Sequence, residues 1–392
     1  MLKPIIWKSL MCLSLALLAA CSTVPAPLST PLPTSTARPT STLLPTPTPV
    51  PASTSEHIPT PLSARPQIRE DYAQALNLDR QAYPRIDGST STEPLQVQIL
   101  CTLYELYCPW LKRSESNAAA ELTPLMIMEN GDWHGLDRSA LPITDHTGTH
   151  TAHLNLINGE ADLILEARLP SADEVQVAQE KKVELETTVI ALDAFVFLTH
   201  ADNPVDSLSL QQIRDIYSGQ LTNWSQVGGL DLPITPYQRE ENSGSQELME
   251  ALVMHDLPFV KADDLIAYTM AGPFNALNDN PTKFPMGDTR KAWPQGDVSG
   301  IAYTVYYYER NIAPRYENIK VLAVEGVRPT QVTIAERTYP LVSEVYVVVR
   351  AGTPADSATI RLRDWLASKG EYRNDGQRTV EQSGYVPYQE LP

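Results

Sequence analysis

Residues 189–217 read VIALDAFVFLTHADNPVDSLSLQQIRDIY, and this stretch decides the fold. Val189 to Leu198 is rich in β-branched and aromatic residues, which predicts a buried strand. After a polar loop, Leu210 to Tyr217 carries apolar residues at helical spacing and predicts a helix. Because a strand that leads into a helix is the repeating unit of α/β proteins, the stretch predicts that class.

The same alternation continues on both sides of this stretch. Further strands are predicted at Asp162 to Leu165 and Ser343 to Val349, and further helices at Leu95 to Leu111, Ser245 to Met254 and Ser357 to Ser368. We therefore expect an α/β fold with mainly parallel sheets. From about Gln67 the chain looks globular, and its more than 300 remaining residues are enough for two lobes.

The first 21 residues have the features of a secretory signal. Lys3 and Lys8 precede an apolar run, Leu10 to Ala19, that is too short to span a bilayer. The run ends in Leu-Ala-Ala-Cys at 18–21, which resembles a bacterial lipobox. We expect a lipid on Cys21 and membrane contact through that anchor only. The alternative is an ordinary signal peptide with a chance cysteine.

Residues 22–66 form a second segment, dominated by Pro, Ser and Thr. It has too few large apolar residues to bury a core, so we expect a disordered linker between anchor and globular region.

The charge balance excludes one class of partner. The chain has 47 acidic against 30 basic residues, a formal net charge of −17. Nucleic-acid binding needs a basic face, so we expect no nucleic-acid partner. A small anion remains compatible, because a desolvated cleft binds it through local dipoles and a few cations.

The cysteines leave one question open. If Cys12 is lost with the leader and Cys21 carries lipid, Cys101 and Cys108 remain. On a continuous helix, positions seven apart lie about 10 Å from each other, and a disulfide needs Cα atoms within about 7 Å. The two pair only if the helix breaks near Tyr107. Two buried thiols are the alternative.

A first polar cluster, DGSTST at 87–92, precedes Glu93 and Pro94. Proline after Ser or Thr is a helix-start signature, and a helix N-terminus offers free N–H groups to an anion. Ser89, Thr90 and Ser91 are therefore candidate ligands. The alternative is a run of helix caps.

A second cluster, QREENSGSQ at 238–246, lies between a strand-like stretch and a predicted helix. Arg239 offers a planar fork suited to oxyanions, and Ser243 and Ser245 offer hydroxyls. Gly244 allows a ligand to approach the backbone closely. The alternative is a helix cap beside a surface arginine.

A third segment, DLILEAR at 162–168, predicts a strand that ends in charged residues. Arg168 could reach a cleft, or it could pair with Glu166 or Asp173. The histidines of 145–153 raise the alternative of a zinc site, but no further ligand follows at a defined interval. No G-x-S-x-G, Walker or H-E-x-x-H motif occurs, so we expect a binding module that is not an enzyme and uses no metal or cofactor.

Several of these motifs together resemble the phosphate-binding family of ABC-importer receptors, a group within the periplasmic-binding-protein superfamily. The likeness spans nearly all of residues 82–388 and keeps the family's order. It is carried by DGSTST at 87–92, DAFVFL at 193–198, NPV at 203–205, LSLQQIRDIYSG at 208–219, TNW at 222–224, VGG at 227–229, PYQRE at 236–240, NSGSQ at 242–246, GIAY at 300–303 and SGYVP at 383–387.

The resemblance implies two α/β lobes that close on a ligand by hinge motion. Lobe I would comprise 67–200 and 341–392, and lobe II 201–340. Strands near Ala194 to His200 and Val342 to Val349 would cross between them. The extracytoplasmic receptor would deliver phosphate, or a similar oxyanion, to an ABC-importer permease.

Carried over by position, the ligand residues come from both lobes. The set implied by the resemblance is Ser89, Thr90, Ser91, Thr149, Arg168, Arg239, Ser243, Gly244 and Ser245. One departure is that family members place an aspartate in the third segment, where this chain has Ala167 and Arg168. Glu166 or another acid would then replace it, or discrimination against sulfate would be weaker.

Two other functions stay open. The same fold could bind another oxyanion or act as a sensor without a transporter. A secreted phosphoester hydrolase could also use such a cleft, but it would need a nucleophile or metal set that the sequence does not display.

Overall fold

The fold was obtained as a computed structural model that describes residues 71–112, 120–127, 133–135, 141–142, 144–261, 263–279, 296–313, 316–368 and 376–388. The chain divides into two units, residues 1–59 and 60–392, and every described residue lies in the second. The predicted signal peptide, Cys21 and the predicted linker therefore lie outside the described residues.

Helices and strands alternate along the described chain. The helices are α1 (Asp71–Ala75), α2 (Glu93–Leu103), α3 (Thr149–Asn158), α4 (Ala172–Glu180), α5 (Leu210–Tyr217), α6 (Gly244–Met249), α7 (Gly272–Asp279), α8 (Gln331–Ala335), α9 (Ala358–Ala367) and α10 (Gly376–Ser383). The strands are β1 (Ile86–Gly88), β2 (Trp110–Lys112), β3 (Ala120–Leu122), β4 (Leu125–Ile127), β5 (Trp133–Gly135), β6 (Leu163–Glu166), β7 (Leu185–His200), β8 (Ser207–Leu208), β9 (Thr235–Pro236), β10 (Gly300–Val305), β11 (Ile319–Val321), β12 (Ala323–Val324), β13 (Val342–Arg350) and β14 (Val386–Pro387).

One eight-stranded sheet joins most of these strands, in the order β1-β6-β13-β7-β10-β9, with β11 and β14 also paired to β7. The α/β fold predicted from the sequence is confirmed. The predicted parallel pairing applies to β1 with β6 and β9 with β10. Every antiparallel pair in this sheet involves β7 or β13. The alternation of helices and strands in the sequence predicts parallel pairing, and it does not show that the two long strands β7 and β13 pair antiparallel to each other.

Two large apolar clusters pack against the sheet. One surrounds β1, β6, α2 and α9, and the other surrounds β10, α5 and the second half of β7. Strand β7 passes from one cluster to the other, since Ala191 belongs to the first and Leu192 to the second. Its partner β13 runs alongside, with Val342 opposite Ala194 and Arg350 opposite Leu185.

The prediction of a helix over Leu95 to Leu111 is wrong beyond Leu103. Helix α2 ends there because Glu105 adopts a left-handed conformation, with φ of 51°, and Trp110 begins strand β2. The break brings Cys101 and Cys108 to a Cα separation of 6.2 Å, and they form a disulfide. The open question about the cysteines is thereby resolved.

The bounds of the other predicted helices agree more closely with the structure. Helix α5 has the predicted bounds, and α9 begins directly after Ser357, whose hydroxyl accepts from the N–H of Ile360. The helix predicted to Met254 is regular only to Met249 and continues as a π-helix from Glu250 to Met254. Among the described residues, no helix combines the length and the apolar character needed to cross a bilayer.

Candidate functional site

A cavity of about 520 Å³ brings together all nine residues that the sequence analysis selected. It is lined by Ser89, Thr90, Ser91, Thr147, Gly148, Thr149, His150, Thr151, Ala167, Arg168, Arg239, Glu240, Glu241, Asn242, Ser243, Gly244, Ser245, Leu248, Thr269, Met270, Ala271, Val305 and Tyr308. These residues come from segments that are far apart in the sequence.

Strand topology explains why the segments meet. Ser89 to Ser91 follow β1, Arg168 follows β6 and Arg239 follows β9. Strands β1 and β6 are parallel, so their carboxyl ends place Ser89 to Ser91 and Arg168 at one edge of the sheet, where α/β proteins bind ligands. Strand β9 runs in the opposite direction, because it is parallel to β10 and β10 is antiparallel to β7. The carboxyl end of β9 brings Arg239 to the same cavity from the other part of the sheet.

The loop before α2 is fixed by its own hydroxyls. Thr92 precedes the helix but makes no side-chain cap. Its hydroxyl oxygen instead lies 2.8 Å from the carbonyl oxygen of Leu165 and 2.9 Å from that of Ser89, and its single proton is shared between these two acceptors. The hydroxyls of Ser89 and Ser91 lie 3.0 Å apart. Thr92 therefore does not cap α2 with its side chain, contrary to the alternative interpretation of 87–92 as a run of helix caps.

Asp87 organises the loop that leads into α3, and it is a residue that sequence reasoning missed. Its carboxylate accepts from the backbone N–H of Thr147 at 2.9 Å, from the Thr147 hydroxyl at 2.7 Å and from the Asn155 amide at 2.8 Å. These bonds position Gly148 and Thr149 at the cavity. The sequence feature that could have identified Asp87 is its position as the first residue of DGSTST at 87–92.

Arg239 is buried at the cavity with 4% of its surface exposed. Its backbone N–H donates to the Tyr303 hydroxyl at 3.0 Å, and Nη2 donates to Glu240 Oε1 at 3.0 Å. Tyr303 in turn donates to Gln246 Oε1, which ties the loop to helix α6. Nε of Arg239 is buried and has no hydrogen-bond partner among the described residues.

Arg168 reaches the cavity, but its partner is neither Glu166 nor Asp173. Nη1 and Nη2 donate to the two carboxylate oxygens of Glu174, at 2.8 and 2.7 Å. Burial alone would raise the pKa of Glu174, but the hydrogen bonds from Arg168 and the nearby charges lower it overall. Glu174 is therefore ionised and neutralises much of the charge of Arg168.

Glu174 was missed because the sequence alone does not show which of the acids near Arg168 pairs with it. A local signal existed, since Ser171 and Glu174 form a capping box at the start of α4.

Glu166, the acid proposed to replace the family's aspartate, is fully buried and does not line the cavity. Burial raises the pKa of this carboxyl well above its usual range, which favours the neutral form. It therefore does not present a charged acceptor to the cavity.

The histidines near the cavity contact acids or backbone. His146 lies 3.6 Å from Glu93, His150 lies 3.1 Å from Glu174, and Nδ1 of the buried His153 lies 2.9 Å from the Thr149 carbonyl. Within the described ranges, no group of three or more His, Cys, Asp or Glu side chains is placed to hold a metal ion.

Gly244 and Thr149 approach each other across the cavity. A Cβ built on Gly244 would lie 2.9 Å from the Thr149 hydroxyl, closer than real Cβ contacts. A larger residue at position 244 would therefore require the Thr149 side chain to move.

Residues 140–369 match the model of a PBP superfamily domain, which covers more than half of the chain. The phosphate-binding protein PstS of Staphylococcus haemolyticus is 23% identical over 281 residues, 70% of this chain and 80% of that protein. PstS of Borreliella burgdorferi is 22% identical over 236 residues, 59% of this chain and 75% of that protein.

Two solved structures share the fold. A phosphate ABC transporter substrate-binding protein from Clostridium perfringens with bound phosphate has a TM-score of 0.53 and 19% identity, over 78% of this chain and 99% of that chain. An ABC-type phosphate transport receptor from Vibrio cholerae has a TM-score of 0.51 and 20% identity, over 77% of this chain and 99% of that chain.

Proposed function

Because this chain belongs to the PBP superfamily, we propose that it is an extracytoplasmic receptor that captures inorganic phosphate for an ABC importer. The two PstS relatives are phosphate-binding proteins, and the two structural neighbours are named for phosphate transport. These names support binding and delivery, in preference to turnover, as the function of this chain.

The observation that carries the proposal is the convergence of the nine selected residues on one cavity. They supply hydroxyls, the first residues of the two helices α3 and α6, and two arginines that are at least 95% buried. Hydroxyls, helix N-terminal N–H groups and guanidinium groups are the donors that tetrahedral oxyanions accept. Nε of each arginine is buried with no partner among the described residues, so a bound anion could satisfy both.

We propose that lobe I (67–200 and 341–392) and lobe II (201–340) close on the anion. The two apolar clusters support a division into two lobes, because β7 leaves one cluster at Ala191 and enters the other at Leu192, which lies before the proposed end of lobe I at 200. Two paired strands joining two cores are suited to hinge motion, in which a few residues absorb the change.

We also propose that a lipid on Cys21 anchors the receptor and that residues 22–66 let it extend from the membrane. Support comes from the sequence alone, in the lipobox-like end of the leader and the Pro-, Ser- and Thr-rich composition. Cys21→Ser should yield unlipidated protein in cells. Retention of a diacylglycerol label on that variant would refute the anchor.

Calorimetric titration of the purified protein, stripped of bound anion, tests the central proposal. Phosphate should bind with a stoichiometry of one, and sulfate and molybdate should bind more weakly. If molybdate or sulfate binds and phosphate does not, the site serves another oxyanion.

A further inference from the structure

Tyr385 is a buried tyrosine whose hydroxyl reaches the loop 89–91 at the cavity. It belongs to the SGYVP stretch at 383–387, which contains none of the residues selected as ligands. Its hydroxyl donates to the backbone carbonyl of Ser91 at 2.9 Å. Ser91 lines the cavity, whereas Tyr385 does not. Burial raises the pKa of the Tyr385 hydroxyl well above its usual range, so this donor keeps its proton near neutral pH.

The Tyr385 ring is held by a second buried tyrosine, Tyr307. The two rings stack with their centroids 3.6 Å apart and an angle of 9° between their planes. The Tyr307 hydroxyl donates to the Ser383 carbonyl at 2.6 Å, and its backbone N–H donates to Asp193 Oδ1 at 2.9 Å. Because Asp193 lies in β7, the stacked pair attaches the Ser91 backbone to the strand that passes between the two apolar clusters.

The segments that carry the two tyrosines also pass from one apolar cluster to the other. Tyr307 belongs to the first cluster and Tyr308 to the second, and the same change occurs between Tyr385 and Val386. Val386 pairs with Leu192, the residue at which β7 enters the second cluster. Three segments therefore cross between the clusters at positions that contact one another, and these contacts fix Tyr385 in place.

Buried tyrosine hydroxyls usually find a hydrogen-bond partner, and the chain contains a matched example away from the cavity. Tyr339 and Tyr385 have 1% and 2% of their surface exposed. Tyr339 donates to the backbone carbonyl of Phe195 at 2.9 Å, the same distance as in the Tyr385 bond. Neither Tyr339 nor Phe195 lines the cavity. The two tyrosines therefore match in burial and bond length and differ in whether the residue they hold lies at the cavity.

We propose that Tyr385 is a positioning residue of the anion site, which holds the Ser91 backbone at the cavity and ties it through Tyr307 to strand β7. A site whose groups are held in place before the ligand arrives binds more tightly, because less conformational freedom is lost on binding. This inference rests on the proposed function and adds a residue that acts on the ligand through Ser91.

Tyr385→Phe removes the hydroxyl and keeps the stacked ring, so the variant should fold. In calorimetric titration of the full chain, its Kd for phosphate should be about fivefold higher than that of the wild type, the factor that corresponds to one hydrogen bond of about 1 kcal/mol. Tyr339→Phe should lose a similar amount of stability in urea unfolding without ligand and keep the wild-type Kd. Equal Kd values for the two variants would overturn the inference and leave Tyr385 with a structural role.

A double-mutant cycle tests whether Tyr385 acts through Ser91. Adding Tyr385→Phe to Ser91→Ala should raise the Kd less than it does in the wild type, because the positioned hydroxyl is already gone. Adding it to Ser245→Ala, which removes a hydroxyl of α6, should raise the Kd by the full factor. If the two backgrounds respond alike, Tyr385 does not act through Ser91 and the proposal is wrong.

The same titrations keep this inference distinct from the proposed function. If the wild-type chain binds no phosphate, the proposed function fails. If the wild type binds phosphate and Tyr385→Phe binds it as tightly, the positioning role of Tyr385 alone fails.

Discussion

At the scale of single residues, Arg168 and Arg239 differ in how their terminal nitrogens are used. Both terminal nitrogens of Arg168 donate to Glu174, whereas Arg239 donates one to Glu240 and places the other 3.6 Å from the Met270 sulfur. Sulfur is a weak acceptor, so Nη1 of Arg239 can exchange it for an anion oxygen at little cost. Arg239 therefore has more donor capacity to offer a ligand.

We expect Arg239→Ala to raise the Kd for phosphate about 10- to 100-fold, because a charge-assisted hydrogen bond to a buried anion contributes about 1.5–3 kcal/mol. The free energy of unfolding without ligand should fall by about 1 kcal/mol. Arg328→Ala, outside the cavity, is the control. A change in Kd no larger than that of the control would place the anion site elsewhere.

Asp193 makes the stability of the protein depend on pH. It is buried, and burial raises the pKa of its carboxyl to about 7, although the N–H groups of Ala194 and Tyr307 oppose this. Between about pH 4 and 7, Asp193 therefore stays protonated in the folded chain, whereas it is ionised in the unfolded chain. The contribution of Asp193 to stability then falls as pH rises from about 4 to 7 and stays low above that range.

Asp193→Asn should remove this dependence, because the amide keeps the acceptor for both N–H groups and carries no charge. At about 1.4 kcal/mol per pKa unit, the variant should gain a few kcal/mol on the wild type between pH 5 and 8. Urea unfolding of both proteins at the two pH values measures the difference. If both proteins lose the same amount of stability between the two pH values, Asp193 is not the titrating group.

At the scale of elements, local signals decided what could be predicted. Helix α5 has apolar positions at regular spacing and a Ser209 cap, so its bounds were readable. Helix α2 was overextended because the left-handed Glu105 carries no sequence signature. The residues selected as ligands reached the cavity because each group follows a strand or begins a helix. Asp87 was missed because its partners Thr147 and Asn155 lie 60 and 68 positions away in the sequence. Glu174 was missed because the sequence alone does not show which nearby acid pairs with Arg168.

Gly244→Ala tests the close approach of α3 and α6. The new methyl group would displace the Thr149 hydroxyl, which can rotate, so we expect a small loss of stability. Phosphate affinity should fall about tenfold or more, because a displaced donor at a buried anion loses a hydrogen bond. Gly326→Ala is the control for affinity, because Gly326 lies outside the cavity and has open space around it. Its φ of 78° strains an alanine, so this control is compared by phosphate titration and not by stability. Unchanged affinity in Gly244→Ala would mean that Thr149 is not needed.

At the scale of the whole molecule, ligand binding and global stability are linked. A ligand that binds only the folded chain adds about 2.7 kcal/mol to the free energy of unfolding at 100 times its Kd. We therefore expect phosphate to raise the Tm and sulfate at equal concentration to raise it less. Differential scanning calorimetry measures both shifts. A larger shift with sulfate would contradict the assignment of the ligand.

The interleaving of the two apolar clusters along the chain also sets an order for folding. The cluster around Leu163 and Leu165 includes Val347, Trp365 and Tyr385, so its members come from both ends of the described chain. Strand β6 pairs with β13, and the paired residues lie 180 to 186 positions apart in the sequence. During synthesis, this core cannot close until β13 and the helices after it have emerged. Contacts so distant in sequence form slowly. For the proposed extracytoplasmic receptor, this slow closure would leave time to cross the membrane before folding.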